Sequence, residues 1–382
     1  MGARRYHGGA ECERCIARSV GDAATTMQVG AERRWAAAFP DVVEGIPSRC
    51  CRTRDRLEGS KGLASQTGTN MNEMSSPRAP LFVVGFQRSG TTLLRLMLNA
   101  HPEIAIPHDS GELWFDYRDK SDGAYGGLAS PDLAKRMIED LLAEPRIKAW
   151  QAVLPLGELL AEPLPECFPD VMRRFHEVYA RTQGKRFWGD KNTGTLVALD
   201  VLNREFPDCR IVHLVRDGRD CALSHASKEY IYGYENVLRA AVEWREQTSL
   251  CRKMGAMLPR DRFLELRYED LILAPEAELR KVCAFLGVGY APQMLDYHRQ
   301  VDENVPAEKR GLWPLLDKPP VASNVFKWKA AMSRGDRAVF ERNAGDLLKA
   351  LGYETLPGPV RTGRLRELWY QVHQRIAWRL RR

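Results

Sequence analysis

The segment GFQRSGTT, Gly85 to Thr92, concentrates side chains that bind anions. Arg88 brings a cation, and Ser89, Thr91 and Thr92 bring hydroxyl donors. Gly85 and Gly90 bound the turn and leave it open to close approach. The spacing nearly satisfies GxxxxGK[ST], the nucleoside-triphosphate loop, with Gly85, Gly90 and Thr92 in register. Thr91 stands where that pattern has its lysine, and the cation sits inside the turn as Arg88. A triphosphate site uses its lysine on the outer phosphates and its Ser/Thr on magnesium. This loop therefore suits a phosphate, or a group like it, bound without that apparatus.

The neighbouring elements must hold the turn. Leu81 to Val84 is a short, continuous apolar run, as in a buried parallel strand. Thr91 to Leu98 carries apolar residues at helical spacing. A helix that starts on the turn aims its first N–H groups and its dipole at the anion. Two more apolar runs end in charged turns: Arg210 to Val215 ends in RDGRD, and Phe263 to Leu266 ends in RYED. A third candidate turn is GDKNTG, Gly189 to Gly194. Pro102 and Pro107 bracket a short strand, and the loop after it carries His108, Asp109 and Glu112. Prolines at 155, 163, 165 and 169 divide a mainly helical stretch over 131–182. Strands alternating with helices predict an α/β fold: a central, mainly parallel sheet flanked by helices. Ligands on such sheets gather at the carboxyl ends of the strands.

Composition narrows the class. The net charge is +7 over 382 residues, which favours anionic ligands without calling for nucleic acid. No apolar run approaches the roughly 18 to 20 residues that span a bilayer. The first residues lack the apolar centre of a secretory signal, so the expected location is cytoplasmic. Nine cysteines, scattered as Cys167, Cys209, Cys221, Cys251 and Cys283 are, suit reduced thiols better than a disulfide framework. Residues 1–78 differ from the rest in their Arg, Gly, Ser and Thr content, and are expected to be a disordered extension or one preceding a true start at Met71 or Met74. Cys12-x-x-Cys15 and Cys50-Cys51 fit no common zinc module. The globular domain is expected over 79–356.

Four separated motifs together resemble the sulfotransferases that use 3′-phosphoadenosine 5′-phosphosulfate, closest to the bacterial and tyrosylprotein-type branch. The first is GFQRSGTTLL. The second is Arg216 with Ser224 eight residues on, in LVRDGRDCALSHA. The third is Trp188-Gly189-Asp190-Lys191, and the fourth is Arg267-Tyr268-Glu269-Asp270-Leu271. The resemblance spans roughly 79–352. It implies a P-loop-like three-layer fold and transfer of a sulfuryl group to a hydroxyl, or secondarily an amine, with no metal. It implies that Arg88, Ser89, Gly90, Thr91 and Thr92 cradle the 5′-phosphosulfate, that Arg216 and Ser224 hold the 3′-phosphate, and that Tyr268 lies beside the adenine. Lys191 would approach the bridging oxygen and the transferring group. The segment SNVFKWK is similar to the family's closing segment, which brings in Ser323, Lys327 and Trp328. Alternatives for single residues are an Asp190 ion pair for Lys191, an Asp217 ion pair for Arg216 and a core position for Tyr268.

The same resemblance implies a general base seven positions after Pro102, where relatives have Glu and this chain has Asp109. His108 and Glu112 are its competitors. The rival readings are a magnesium-dependent kinase and a non-catalytic nucleotide-binding relative. The acceptor stays open among carbohydrate, lipid-linked sugar, peptide tyrosine and small metabolite. Its pocket is expected from loops bearing Trp114, Phe115, Tyr117, Tyr125, Tyr230, Tyr232 and Tyr234. Finally, Leu365, Leu368, Trp369, Val372, Ile376 and Leu380 share a face of a basic amphipathic helix over 357–382. Such a helix either lies on an anionic membrane surface or packs on its own domain.

Overall fold

The computed structural model describes residues 79–109, 111, 113–226, 236–357 and 366–372. The expected N-terminal extension, the zinc candidates, Glu112 and the tyrosines 230, 232 and 234 lie outside these residues.

Five parallel strands form one sheet in the order β2-β3-β1-β4-β5. They are β1 (Leu81–Val84), β2 (Ile104–Ala105), β3 (Phe187–Lys191), β4 (Arg210–Val215) and β5 (Phe263–Arg267). The principal helices between and after them are α1 (Thr91–Asn99), α2 (Leu113–Asp122), α3 (Pro131–Ala143), α4 (Phe168–Thr182), α5 (Leu199–Glu205), α6 (Gly218–Ala226), α7 (Val237–Gly255), α8 (Tyr268–Leu273), α9 (Pro275–Leu286) and α10 (Arg334–Ala350). The α/β expectation holds. The strand carrying Lys191 was not announced by composition, because its sequence, FWGDK, is half polar.

The sheet's burial explains its apolar runs. In β1, Phe82 and Val84 enter one core cluster while Leu81 and Val83 enter the other. Both faces are covered, so neither set of alternating residues is polar. Each such side chain contributes about 1.5–3 kcal/mol on burial. β1 pairs with β3 on one side and β4 on the other. From β1 the chain crosses to the edge strand β2, returns with β3 to the place beside β1, and then passes to β4 and β5 on the other side. The connections leaving β1 and β4 thus run in opposite directions, and the crevice of a doubly wound sheet opens between the carboxyl ends of these two neighbours.

The cysteine expectation holds in part. Cys209, Cys221, Cys251 and Cys283 are buried free thiols, whereas Cys167, just before α4, is disulfide-bonded. Among the described residues no helix is long and apolar enough to cross a membrane.

Candidate active site

Each strand delivers candidate residues at its carboxyl end. The anion loop follows β1, the His108–Asp109 turn follows β2, Lys191 closes β3, Arg216 follows β4, and Tyr268 follows β5. These ends surround one cavity of about 470 Å³. Arg88, Gly90, Thr91, Thr92, His108, Asp109, Lys191, Arg216, Ser224, Tyr268 and Lys327 all line it. Ser89 does not: its hydroxyl is buried 3.7 Å from the Cys221 sulfur on α6. Trp328 does not either. Its ring is buried behind the wall, with the Arg219 guanidinium 3.5 Å from its centroid and that of Arg337 4.5 Å away. Ser323 also lies off the cavity, and Asn324 beside it lines the wall instead.

The anion loop is held in a conformation that few residues adopt. Arg88 has φ +66° and Gly90 has φ +95°. A Cβ at position 90 would fall 2.4 Å from the Tyr268 ring, so this close approach needs glycine. A non-glycine residue at positive φ costs energy, and such residues cluster at ligand sites. Arg88 donates from Nε to Ser224 Oγ at 2.9 Å and from a terminal nitrogen to the Leu312 carbonyl at 3.1 Å. Arg216 donates to the carbonyls of Arg88 (3.1 Å) and Asn324 (2.9 Å). Its guanidinium lies 4.4 Å from the centre of the Tyr268 ring. The Tyr268 hydroxyl accepts from Asn324 Nδ2 at 2.6 Å. Three cations thus share a small volume. Burial lowers the Lys327 pKa, and repulsion from Arg216 and Arg88 lowers it further. A multiply charged anion is the partner that relieves such crowding.

The expected alternative of an Arg216–Asp217 ion pair is not formed. Asp217 is taken by Arg219, at 2.7 Å, and Arg219 also reaches Glu341 at 2.6 Å. That buried network is structural, and Arg216 instead lines the cavity with the buried Asp220 carboxylate 3.5 Å behind it.

At the other end, Lys191 Nζ bonds Asp109 Oδ2, and the Asp109 Oδ1 accepts from the Gly111 amide at 2.6 Å. Burial works to raise the Asp109 pKa. The Lys191 charge, its hydrogen bond and the Gly111 amide outweigh this and hold the carboxyl below its ordinary range. His108, beside it, is desolvated and flanked by Arg95, Lys309 and Lys191, which push its pKa down to about 3. The imidazole is therefore neutral at working pH, with its Nε2 3.4 Å from Lys309 Nζ.

The turn itself is anchored from α1 and β3. Asn99 Oδ1 accepts from the Ile106 amide at 2.9 Å, and Arg95 donates to the Ile106 carbonyl at 3.2 Å. Asn192 Nδ2 bonds the Gly111 carbonyl.

Asp190 is not the partner of Lys191. Side chains alternate along a strand, so Asp190 faces the opposite core. It is 1% exposed there, 3.5 Å from His176 Nε2, and that ring sits among Trp114, Trp150 and Trp188.

Four of the aromatic residues expected around the acceptor are corrected by the structure. Trp114, Tyr117 and Tyr125 belong to the core, and the two hydroxyls bond Glu144 (2.9 Å) and Asp140 (2.8 Å). Phe115 packs near Gly194 and does not line the cavity. Leu113, Trp114, Tyr117 and Ser121 form the buried face of α2, a helical spacing that was present in the sequence. Sequence reasoning also missed Lys309, Trp313 and Asn324. Lys309 and Trp313 sit in a short 3-10 segment, Ala307–Leu312, and just after it, with no periodicity to mark them. Asn324 lies within SNVFKWK, one residue from Ser323.

With this geometry in place, known proteins give it context. A family model described as the sulfotransferase family matches residues 80–292, more than half of the chain. Protein-tyrosine sulfotransferase 2 of Gallus gallus is 23% identical over 289 residues, covering 74% of this chain and 71% of that protein. Omega-hydroxy-beta-dihydromenaquinone-9 sulfotransferase Stf3 of Mycobacterium bovis is 24% identical over 330 residues, covering 74% and 77%. The sulfotransferase domain of the Synechococcus PCC 7002 olefin synthase shares the fold, with TM-score 0.53 at 21% identity over 76% of this chain and 100% of that one.

Proposed function

The chain belongs to the sulfotransferase family and its reaction is sulfuryl transfer, and we propose that it takes the sulfuryl group from 3′-phosphoadenosine 5′-phosphosulfate to a hydroxyl acceptor, with Asp109 as general base. One observation carries this reading: Arg88, Thr91, Thr92, Lys191, Arg216, Ser224 and Asp109, from separate parts of the chain, converge on a single cavity. The donor has two anionic ends. In this reading Arg88, Gly90, Thr91, Thr92 and the start of α1 take the phosphosulfate, with Ser89 shaping the turn. Arg216, Ser224 and Lys327 take the 3′-phosphate. Tyr268 flanks the adenine, and Trp328 supports the wall behind it. Among the described residues, six cations line the cavity (Arg88, Arg146, Lys191, Arg216, Lys309, Lys327) against one carboxylate, which suits a polyanion.

The chemistry follows from the Asp109–Lys191 end. The acceptor oxygen attacks sulfur in line with the bridging oxygen. Its proton passes to Asp109, a new S–O bond forms, and the bond from sulfur to the phosphate oxygen breaks. Adenosine 3′,5′-bisphosphate leaves with the extra negative charge. Lys191, freed from Asp109, neutralises that charge where it develops. His108, held neutral, accepts a hydrogen bond from Lys309 and is a weaker claimant to the base. The curated relatives are named for a protein tyrosine and for an omega-hydroxy menaquinone derivative, a phenol and an alcohol. Both support a hydroxyl acceptor here.

A thermal-shift titration tests the donor. The full chain is titrated with adenosine 3′,5′-bisphosphate and ADP without metal, and with ATP and magnesium. Ligand at 100 times its dissociation constant adds about 2.7 kcal/mol. Selective stabilisation by the 3′,5′-bisphosphate is expected. A response to ATP with magnesium alone would move the site to kinase chemistry.

A further inference from the structure

The core face of β3 carries a second pair of titratable groups, and the reaction as drawn uses neither. Asp190 and His176 are 1% and 0% exposed. His176 Nδ1 faces the Met172 carbonyl at 2.9 Å, so this nitrogen carries a proton and donates it. His176 Nε2 lies 3.5 Å from Asp190 Oδ1. Among the described residues no other polar group bonds either carboxylate oxygen. An unprotonated Nε2 would set two acceptors against each other in the core. One further proton therefore sits between the ring and the carboxylate, and the pair is neutral as a whole. The rings of Trp114, Trp150 and Trp188 have centres 5.2, 4.9 and 4.9 Å from that of the imidazole. Aromatic rings at this range favour positive charge on the group between them.

The end of β3 needs such a hold. Phe187 and Trp188 pair with Ile104 and Ala105 of β2, and β2 stops there. Gly189, Asp190 and Lys191 pair with β1 on their other side. Among the described residues these last three thus have a strand ladder on one side only, and the last of them is Lys191. Asp190 turns from that stretch into the core beneath α4, where His176 meets it. Adjacent residues of a strand project to opposite faces, so a fixed Asp190 fixes the direction of Lys191. A reacting group misplaced by about 1 Å costs about 10² in rate.

We propose that Asp190 and His176 are positioning residues: the proton-linked pair grips the end of β3 from the core side and sets the line along which Lys191 enters the cavity. The inference rests on the proposed reaction, in which Lys191 neutralises the leaving group. It gives the pair a part in that reaction without contact with substrate. A buried polar pair is weak evidence for stability, so the pair's effect belongs in turnover more than in melting temperature.

Because Lys191 acts on the leaving group, hydrolysis of the donor reports it with water as the acceptor. The full chain is supplied with 3′-phosphoadenosine 5′-phosphosulfate, and release of adenosine 3′,5′-bisphosphate is followed. Asp190→Ala should lower kcat about 10- to 100-fold, with affinity for the bisphosphate kept within a few-fold. Asp190→Asn should recover most of that loss, because its amide donates to Nε2 of the neutral ring. In a Lys191→Ala background, Asp190→Ala should cost less than about twofold more, since residues that act through one group are not additive. If Asp190→Ala does not fold, His176→Phe with Asp190→Leu fills the same space without the polar grip, and the same loss and the same non-additivity are expected. Wild-type kcat in either folded variant overturns the proposal. So do losses that multiply in the Lys191→Ala background, because the pair would then act on the structure at large. Lys191→Ala at the wild-type rate, or a wild-type chain that the bisphosphate does not stabilise, brings down the donor reading and this proposal with it.

Discussion

The two ends of the cavity are built in opposite ways. Around Arg88, four distant segments brace one another: Arg88 bonds Ser224 and the Leu312 carbonyl, Arg216 bonds the carbonyls of Arg88 and Asn324, and Asn324 bonds Tyr268. Around Asp109, Asn99, Arg95 and Asn192 hold the backbone of the turn, but the carboxylate itself is held by one ion pair with Lys191 and one amide from Gly111. The braced end presents fixed donors and excess positive charge, as suits a large anion that must be bound in one pose. The sparse end holds an anion–cation pair that substrate can separate. Binding energy belongs to the first and bond-making to the second.

That division can be broken by mutation. The largest effect is expected from Asp109→Asn, which removes the base and should lower turnover by about 10²- to 10⁴-fold. Release of adenosine 3′,5′-bisphosphate measures it, and affinity for that nucleotide should stay within a few-fold. Retained turnover would dismiss Asp109 from the role.

Lys191→Ala should cost about 10² to 10³ in turnover, again with little change in nucleotide affinity. If affinity falls by the same factor as turnover, Lys191 belongs to the braced end and the division fails.

Arg216→Ala should do the reverse. Nucleotide affinity, followed by calorimetry, should weaken by about 10- to 100-fold through loss of a charge-assisted contact, with turnover at saturation nearly kept.

The smallest effect concerns pH. His108 has its folded-state pKa depressed to about 3. Stability gained from keeping it neutral is fully present above the unfolded value near 6.5, and is lost as pH falls from there toward 3. Asp109, also depressed, contributes above about pH 4 and loses that contribution as pH falls through its folded value. Neither group titrates between pH 5 and 8. The kcat/KM profile should show no step near 6.5 from either. An acid limb centred there, abolished in His108→Gln, would exchange the roles of His108 and Asp109.

Legibility in the sequence followed the same division. Arg216 and Tyr268 could be placed because each sits at the end of a run, RIVHLV or FLEL, whose apolar content marks a buried strand. The anion loop was equally plain, since its glycines and hydroxyls are contiguous. Lys309 could not be placed. It is far along the chain from His108, in a segment without period, and only the path of the chain across the cavity mouth brings the two together. The aromatic residues of α2 misled for a related reason. Their spacing fits a buried helical face, yet a loop and a helix compete for the same short stretch until packing decides.

By itself the sequence determined where β1, β4 and β5 end and which residues carry charge, because burial on both sides of a sheet demands apolar runs in those strands. It also determined that the last helix is amphipathic. Direction was decided by the tertiary structure. Alternation places Asp190 and Lys191 on opposite faces, but only the packed sheet turns Lys191 into the cavity and Asp190 toward His176 and its tryptophans. The same holds for the tail: periodicity separates its faces, and the ion pairs with Asp336 and Arg342 decide which one the domain takes. Local pattern fixes relative orientation within an element. Absolute orientation is set by long-range contacts that no window of sequence contains.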